Sequence, residues 1–184
     1  TGSGEMTNLP LIEYIAKKGK PMIISTGMSN IDEIQETVDL VKSIGTPLII
    51  THCTSAYPCP YDKINLGMIP EYRKKFQIPI GLSDHSRGIY TALGSVSLGA
   101  AVIEKHFTLD KMQKGPDHPS SIEPNELGEL TKGARAVFLA KGKEKRIFPE
   151  EEQIIAWARE SVVSEVEIKA GEVIKDNMVW VKRP

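Results

Sequence analysis

A repeat of short apolar runs and helical stretches constrains the fold of this 184-residue chain more than any other feature. The apolar runs occupy residues 22–24, 48–50, 78–80 and 101–103. Each run ends in polar residues, and representative ends are Ser25, His52, Ser83 and His106. These ends lie 27, 31 and 23 residues apart, which is the length of a strand, a helix and a return loop. The spacing predicts a βα repeat with a parallel sheet, because strands covered on both faces read as continuous apolar runs.

In the segments that follow the apolar runs, apolar residues recur with the spacing of an α-helix. The clearest helix is predicted over 30–44, where isoleucines and valines fall on one face and Gly45 supplies the stop. Weaker helical stretches follow around Tyr72 and Phe76, over 88–99, and before Gly142. The sequence therefore supplies a helix after each predicted strand.

A (β/α)₈ barrel explains this repeat better than an open doubly wound sheet. The doubly wound alternative usually carries a glycine-rich phosphate loop, and neither GxGxxG nor GxxxxGK[ST] occurs in the sequence. A complete barrel needs about 250 residues, whereas this chain shows four βα units. We therefore expect the C-terminal half of a TIM barrel over 1–142. A linker helix is predicted over 143–160 and the beginning of a small second domain over 161–184.

Composition indicates the class of protein and the kinds of partner to expect. The net charge is −1 with 26% charged and 40% hydrophobic residues, which predicts a soluble globular protein and does not favour nucleic acid as a partner. The sequence contains neither an apolar run long enough to span a membrane nor a signal peptide, so a cytoplasmic location is expected. The spacing of Cys53 and Cys59 fits neither a CxxC redox pair nor a zinc knuckle, and free thiols are predicted.

Histidines at two predicted strand ends are the first candidates for chemistry. His85 and His106 follow neighbouring strands, so parallel pairing would bring their imidazoles to one rim, where they could hold a divalent metal. A pair of hydrogen-bonded structural histidines is the alternative. Asp84 should point away from its neighbours on an extended strand and is expected to have a structural partner. For His52 a structural role is favoured.

Hydroxyl groups at the strand ends are less specific candidates. Ser25, Ser55 and Ser83 could donate hydrogen bonds to a phosphate or carboxylate, although turn and capping roles explain each of them taken alone. Tyr57 is by residue type more often a packing residue. The loop that holds Asp117 and His118 either closes the barrel or presents Asp117 to a ligand over the rim.

Several motifs, in order along almost the whole chain, closely resemble the sialic acid synthase family, of the N-acetylneuraminate synthase type. The motifs are Ser3-Gly4-Glu5, Ser25-Thr26-Gly27-Met28, His52-Cys53-Thr54-Ser55-Ala56-Tyr57-Pro58, Gly81-Leu82-Ser83-Asp84-His85, Glu104-Lys105-His106-Phe107-Thr108 and Gly115-Pro116-Asp117-His118. The resemblance implies a TIM-barrel synthase domain from the end of strand four to strand eight. It also implies that residues 161–184 begin an antifreeze-like (SAF) domain, and that the chain is part of a longer enzyme that forms domain-swapped homodimers.

The resemblance further implies condensation of phosphoenolpyruvate with an N-acetylated sugar aldehyde such as N-acetylmannosamine. The products would be a sialic acid-type nonulosonic acid and phosphate, released by C–O cleavage. The implied cofactor is a divalent metal, typically Mn²⁺, with Mg²⁺ or Co²⁺ as alternatives. Substrate choice among N-acetylneuraminate, legionaminate, pseudaminate and spore-coat precursors stays open.

Residue roles are carried over from the family one by one. His85 and His106 match metal ligands, and Glu104 and Asp117 match carboxylates that face the sugar and the metal-bound water. The implied substrate-binding residues are Ser3, Ser25, Ser55, Tyr57 and Ser83, although many members have asparagine at the position of Ser55. Two other functions remain as alternatives, namely a non-catalytic carbohydrate-binding or assembly remnant of such an enzyme and another phosphoenolpyruvate-using or aldolase barrel.

Overall fold

Four parallel strands form the central sheet in the computed structural model, which describes residues 1–183. The strands are β1 (Met22–Ser25), β2 (Leu48–Cys53), β3 (Ile80–Asp84) and β4 (Ile103–Lys105). They are hydrogen-bonded in the order β1-β2-β3-β4, and every pair is parallel. At the outer side of β1, the amino group of Thr1 donates to Ile23 O (2.7 Å) and Ser25 N donates to Thr1 O (3.2 Å). The predicted βα repeat with a parallel sheet is therefore confirmed.

Helices alternate with these strands as the periodicity predicts. They are α1 (Leu9–Ala16), α2 (Ile31–Ile44), α3 (Met68–Phe76), α4 (Tyr90–Ser97) and α5 (Pro124–Ala140). Local sequence fixes both ends of α2. The Asn30 side chain accepts hydrogen bonds from Asp32 N and Glu33 N, and Gly45 ends the helix with φ 81°, a left-handed conformation that favours glycine.

The main core lies between the sheet and the helices. Ile24, Ile50 and Leu82 belong to the same buried cluster as residues of α2 and α3. Because side chains alternate along a strand, the residues between them face the other side of the sheet. Ser25, Cys53 and Ser83 lie on that second face, and this alternation positions the candidate site.

Two strands begin later than their apolar runs. The run 78–80 contributes only Ile80 to β3, since Pro79 lacks the N–H that a ladder position needs. The run 101–103 contributes only Ile103 to β4. Its earlier residues still bond to the neighbouring strand, with Ala101 N donating to Ile80 O and Leu82 N to Val102 O. The GLSD segment consequently lies within β3 rather than after it.

A second compact unit begins at Gly142, after a first unit that spans Thr1–Lys141. It contains a 3₁₀ turn (Pro149–Glu151), α6 (Glu152–Ala158), and two antiparallel strands, β5 (Ser161–Ser164) and β6 (Val179–Lys182). Helix thus occupies only part of the predicted linker helix over 143–160. Pro184 lies outside the described residues. Over residues 1–183, no helix combines the length and apolarity required to cross a membrane.

Candidate active site

A polar pocket of about 360 Å³ opens on the second face of the sheet, near the carboxyl ends of the strands. Eight residues singled out from the sequence line it, namely Ser3, Ser25, Ser55, Tyr57, Ser83, His85, Glu104 and His106. Asp117 is not among the lining residues and is exposed on the loop after β4, where its carbonyl accepts hydrogen bonds from two serine hydroxyls. The folded chain therefore gathers residues that are up to about a hundred positions apart.

Residues of β3 and β4 and their following segments bring three side-chain pairs together. In the first pair, Ser83 is in register with Glu104, and its hydroxyl donates to Glu104 Oε1 (3.0 Å). In the second, Asp84 is in register with Lys105. In the third, just beyond the strands, the imidazole rings of His85 and His106 have centroids 5.1 Å apart. The first and third pairs line the pocket, whereas Lys105 lines a separate cavity beside α5.

Tyr57 and a backbone carbonyl orient the two imidazoles. The Tyr57 ring lies 4.2 Å from the His85 ring and 5.6 Å from the His106 ring, centroid to centroid. His85 Nδ1 lies 3.1 Å from Thr54 O. Since a carbonyl only accepts, the Nδ1–H donates, which leaves the Nε2 lone pair of the neutral ring free for another partner.

This arrangement fits two ligands of a divalent metal. Neutral imidazoles are common ligands of such ions, and a hydrogen bond from the other ring nitrogen typically orients them. Glu104 lines the same pocket and offers a carboxylate. Within residues 1–183, however, no cluster of three or more His, Cys, Asp or Glu side chains has metal-binding geometry. The two histidines could thus supply part of a coordination shell.

Small side chains crowd around Gly27 on the β1 side of the pocket. Ser3 Oγ accepts a hydrogen bond from Gly27 N (3.0 Å) and donates to Ser25 Oγ (2.9 Å). A Cβ at Gly27 would lie 2.2 Å from Ser55 Oγ, 2.6 Å from Ser3 Oγ and 2.9 Å from Cys53 Sγ. Only glycine therefore lets the loop after β1 approach these groups so closely.

Cys53 joins the serine side of the pocket to the histidine side. Its sulfur lies 3.6 Å from Ser3 Oγ and 3.7 Å from His85 Nδ1. Burial alone would raise the pKa of the thiol, but hydrogen bonds from His85, Ser25 and Ser3 outweigh burial and lower the pKa to about 7. For His85, burial would lower the pKa, and the contacts with Cys53 and Thr54 O raise it instead. Each group therefore favours the charged form of the other.

Asp84 has a structural partner on the helix side of the sheet, as its position on the strand predicts. The side chains of Asp84 and Lys105 are 0% and 3% exposed, and Lys105 Nζ lies 3.1 Å from Asp84 Oδ2. The carboxylate also accepts hydrogen bonds from Ser86 N (2.9 Å) and Thr91 Oγ1 (2.7 Å). Burial lowers the pKa of Lys105, and the attraction of Asp84 opposes this shift. Each of these buried polar groups is thus hydrogen-bonded.

The other two histidines lie outside the pocket. His52 packs against Tyr72 and its Nε2–H donates to Ile64 O (2.7 Å), which confirms the structural role that its position favours. Burial lowers the pKa of His52, which favours the neutral ring. His118 Nδ1 lies 2.8 Å from Thr108 Oγ1 and ties the loop after β4 to itself. Cys53 and Cys59 are free thiols, as the sequence predicts.

Most of the chain matches one protein family. Residues 1–146 match the model of the NeuB family. The chain belongs to the NeuB family. This membership agrees with the resemblance to sialic acid synthases that the motifs indicate.

Two NeuB-type relatives illustrate the degree of similarity. The chain is 42% identical over 186 residues to N,N'-diacetyllegionaminic acid synthase of Campylobacter jejuni, covering 99% of this chain and 56% of that protein. It is 43% identical over 183 residues to N-acetylneuraminate-9-phosphate synthase of Homo sapiens, covering 98% of this chain and 51% of that protein. The chain therefore spans about half the length of the curated relatives it matches.

A solved structure shows the same likeness in three dimensions. The crystal structure of an N-acetylneuraminic acid synthetase from Leptospira borgpetersenii, in complex with citrate, matches with a TM-score of 0.78 and 35% identity. The match covers 84% of this chain and 54% of that chain. The α/β fold with a parallel sheet is thus similar to that of a sialic acid synthase.

The sequence does not single out two residues at or beside the pocket. Cys53 lies beside it, and the sequence predicts only a free thiol, because the contacts of this residue with Ser3 and His85 depend on strand order rather than on spacing. Met28 lines the pocket with φ 61°, an uncommon backbone conformation for a residue other than glycine. Its place directly after Ser25-Thr26-Gly27 was a usable signal, since strained residues concentrate at functional sites.

Proposed function

We propose that this chain is the part of a longer synthase that condenses phosphoenolpyruvate with an N-acetylated sugar aldehyde. The products would be a nonulosonic acid of the sialic acid type and inorganic phosphate. Membership of the NeuB family and the synthase activities for which the relatives are named support this class of reaction. Because the chain spans about half of those relatives, the activity is proposed for the intact protein.

The observation that carries the proposal is the convergence of hydroxyls, a carboxylate and two imidazoles in one pocket. Phosphoenolpyruvate carries a phosphate and a carboxylate, and both accept hydrogen bonds from hydroxyl and backbone N–H donors. Ser3, Ser25 and Ser83 supply such hydroxyls along one wall. Holding the substrate in reacting geometry in this way lowers the barrier by removing motional freedom before the reaction.

The proposed reaction balances with one water molecule. Carbon 3 of phosphoenolpyruvate attacks the aldehyde carbon and forms the new C–C bond, which leaves positive character at carbon 2. Water adds to carbon 2, and the bond from carbon 2 to the bridging oxygen breaks so that phosphate leaves with that oxygen. One proton of the water ends on the former aldehyde oxygen and the other on the phosphate.

Two carboxylates are proposed to handle protons or orient the sugar hydroxyls. Glu104 is exposed at the rim and accepts a hydrogen bond from Ser83, so it lies beside the proposed phosphoenolpyruvate site. Asp117 is on the exposed loop after β4, and we propose that it faces the sugar. Tyr57 and Ser55 complete the substrate side of the pocket, where the 48% exposed Tyr57 ring offers a surface for the sugar.

His85 and His106 are proposed to hold a divalent metal, typically Mn²⁺, with Mg²⁺ or Co²⁺ as substitutes. When bound, such an ion supplies Lewis-acid chemistry that makes the aldehyde more electrophilic. The chain contributes two imidazole ligands and the hydrogen bond from His85 Nδ1 to Thr54 O that fixes the ring. We further propose that the intact enzyme is cytoplasmic and forms domain-swapped homodimers, and that the unit after Gly142 begins an SAF domain over 161–184.

A phosphate-release assay on the intact protein tests the proposal. Phosphoenolpyruvate and Mn²⁺ are supplied with a panel of N-acetylated hexoses, among them N-acetylmannosamine and diacetylated analogues. We expect phosphate release that depends on one sugar of the panel and yields an equal amount of nonulosonic acid. His85→Ala should abolish the metal-dependent turnover.

The matched control for that variant is His118→Ala, which removes an imidazole outside the pocket. This variant should still bind Mn²⁺. Full metal-dependent turnover by His85→Ala would contradict the metal role. A wild-type protein that binds these sugars without releasing phosphate would instead favour a carbohydrate-binding module.

A further inference from the structure

The buried ion pair between Asp84 and Lys105 lies directly behind the two histidines of the pocket. Each member immediately precedes one of them in sequence, and the two residues are in register across β3 and β4. Strand alternation turns the pair toward the helices, and Lys105 lines the cavity beside α5 instead of the polar pocket. The pair therefore does not touch a substrate held among the serines and histidines.

Hydrogen bonds from this pair hold the chain on both sides of His85. Asp84 Oδ1 accepts from Ser86 N (2.9 Å), and Lys105 Nζ donates to Ser86 O. Asp84 Oδ2 accepts from Thr91 Oγ1 (2.7 Å), and Thr91 in turn lies 2.6 Å from Ser86 Oγ. The backbone before and after His85 is thus tied to α4 and to the residue that precedes His106.

Stability alone does not account for such a pair. Removing two charges from water is costly, and replacing a buried ion pair with apolar side chains of similar volume is often neutral or stabilising. Apolar side chains, however, would not fix the orientation of the neighbouring backbone. An ion pair with three further hydrogen bonds does so, because each bond requires a particular geometry between the groups that it joins.

We propose that Asp84 and Lys105, together with Ser86 and Thr91, are positioning residues that set the separation and orientation of the His85 and His106 imidazoles. The inference rests on the proposed function, in which these two rings ligate a divalent metal. It identifies the positioning groups behind those ligands. Groups that hydrogen-bond a metal ligand directly typically change metal affinity by about 10–100-fold when they are mutated. Asp84 and Lys105 act instead through the backbone beside the two histidines, so the expected effect is at the lower end of that range.

The test compares Mn²⁺ affinity of intact wild-type protein with that of the double variant Asp84→Leu/Lys105→Met. The affinity is measured by titration calorimetry, and Co²⁺ absorption spectra report ligand geometry. Thermal unfolding without metal shows whether the variant is folded. We expect a folded protein whose Kd for Mn²⁺ is raised about tenfold and whose Co²⁺ spectrum is altered. The single variant Lys105→Arg, which retains the positive charge beside Asp84, should keep most of the wild-type affinity for Mn²⁺.

Lys17→Met is the control, because it removes the lysine of the exposed ion pair with Glu13, away from the pocket. Its Mn²⁺ affinity should equal that of the wild type. If the double variant does not fold, Thr91→Val decides. This variant removes the hydroxyl that bonds to Asp84 and to Ser86, and a weakened Mn²⁺ affinity supports the proposal.

Two contrary results have different meanings. Unchanged Mn²⁺ affinity and an unchanged Co²⁺ spectrum in the folded double variant, or in Thr91→Val where the double variant does not fold, overturn the positioning role and leave the proposed function standing. A wild-type protein that binds neither ion overturns the metal site of the proposed function and this inference with it.

Discussion

Gly27→Ala probes the tightest part of the pocket with a single added methyl group. The backbone of Gly27 needs no left-handed conformation, so the substitution tests space alone. The new Cβ would lie 2.2 Å from Ser55 Oγ, 2.6 Å from Ser3 Oγ and 2.9 Å from Cys53 Sγ. Because real Cβ contacts are longer, all three side chains must rotate or the loop must move.

The magnitude follows from the cost of overpacking. Inserting a methyl group into a well-packed site typically costs about 1–3 kcal/mol. Rotating Ser3 also disturbs its hydrogen bonds with Gly27 N and Ser25 Oγ. If about 1.4 kcal/mol of this cost is expressed in binding, the Kd for phosphoenolpyruvate rises about tenfold.

Calorimetric titration with phosphoenolpyruvate and urea unfolding measure the two effects on the intact protein. Gly67→Ala is the control, since a Cβ at that position would meet no heavy atom within 4 Å. Comparison of the two variants cancels the stabilisation of about 0.4–1 kcal/mol that replacement of glycine gives through the unfolded state. Wild-type affinity for phosphoenolpyruvate in a destabilised Gly27→Ala protein would refute the assignment of this cluster to substrate binding, and wild-type stability would refute the tight packing.

Three further substitutions test the substrate contact of Ser83, the start of α2 and the ion pair between Lys111 and Glu126. Ser83→Ala removes the hydroxyl that donates to Glu104, and we expect a raised KM for phosphoenolpyruvate in steady-state assays; an unchanged KM would place the substrate elsewhere. Asn30→Ala removes the acceptor of two N–H groups at the start of α2 and should lower the free energy of unfolding by about 1 kcal/mol, whereas Asn30→Ser should retain most of it. Lys111→Met tests pH dependence: burial alone would raise the pKa of Glu126, but the hydrogen bonds from Lys111 and Glu123 N lower it below 4.5. The pair thus contributes to the free energy of unfolding at neutral pH, and this contribution is lost as the pH falls through the lowered pKa of Glu126. In urea unfolding, the free energies of wild type and variant should therefore converge in acid. A difference that persists in acid contradicts the pairing.

Most of the sheet was predictable because a buried parallel strand leaves a continuous apolar run in the sequence, and the spacing of the runs leaves room for a helix between strands. The apolar runs identified the four parallel strands of the sheet. The alternation of side chains along a strand correctly predicted that Asp84 faces away from the pocket. Strand limits were less accurate. The apolar run does not reveal where a ladder begins, since Pro79 shortens β3 through its missing N–H rather than through hydrophobicity.

The candidate site was predictable as a set of strand ends but not as a network of contacts. Parallel order implies that residues after β3 and β4 meet, which anticipates the nearness of His85 and His106. The contacts of Cys53 with Ser3 and His85 depend on strand order, which spacing alone does not show. Gly27 lets the loop after β1 approach the same sulfur closely, and its role is visible only once the neighbouring side chains are in place.

The fate of the bridging oxygen of phosphoenolpyruvate tests the proposed condensation most directly. The intact enzyme is given Mn²⁺, the accepted N-acetylated sugar and phosphoenolpyruvate labelled with ¹⁸O between carbon 2 and phosphorus, and the products are analysed by mass spectrometry. Cleavage of the bond from carbon 2 to the bridging oxygen predicts labelled phosphate together with an unlabelled nonulosonic acid. Unlabelled phosphate, or phosphate release without a sugar acid, would contradict it.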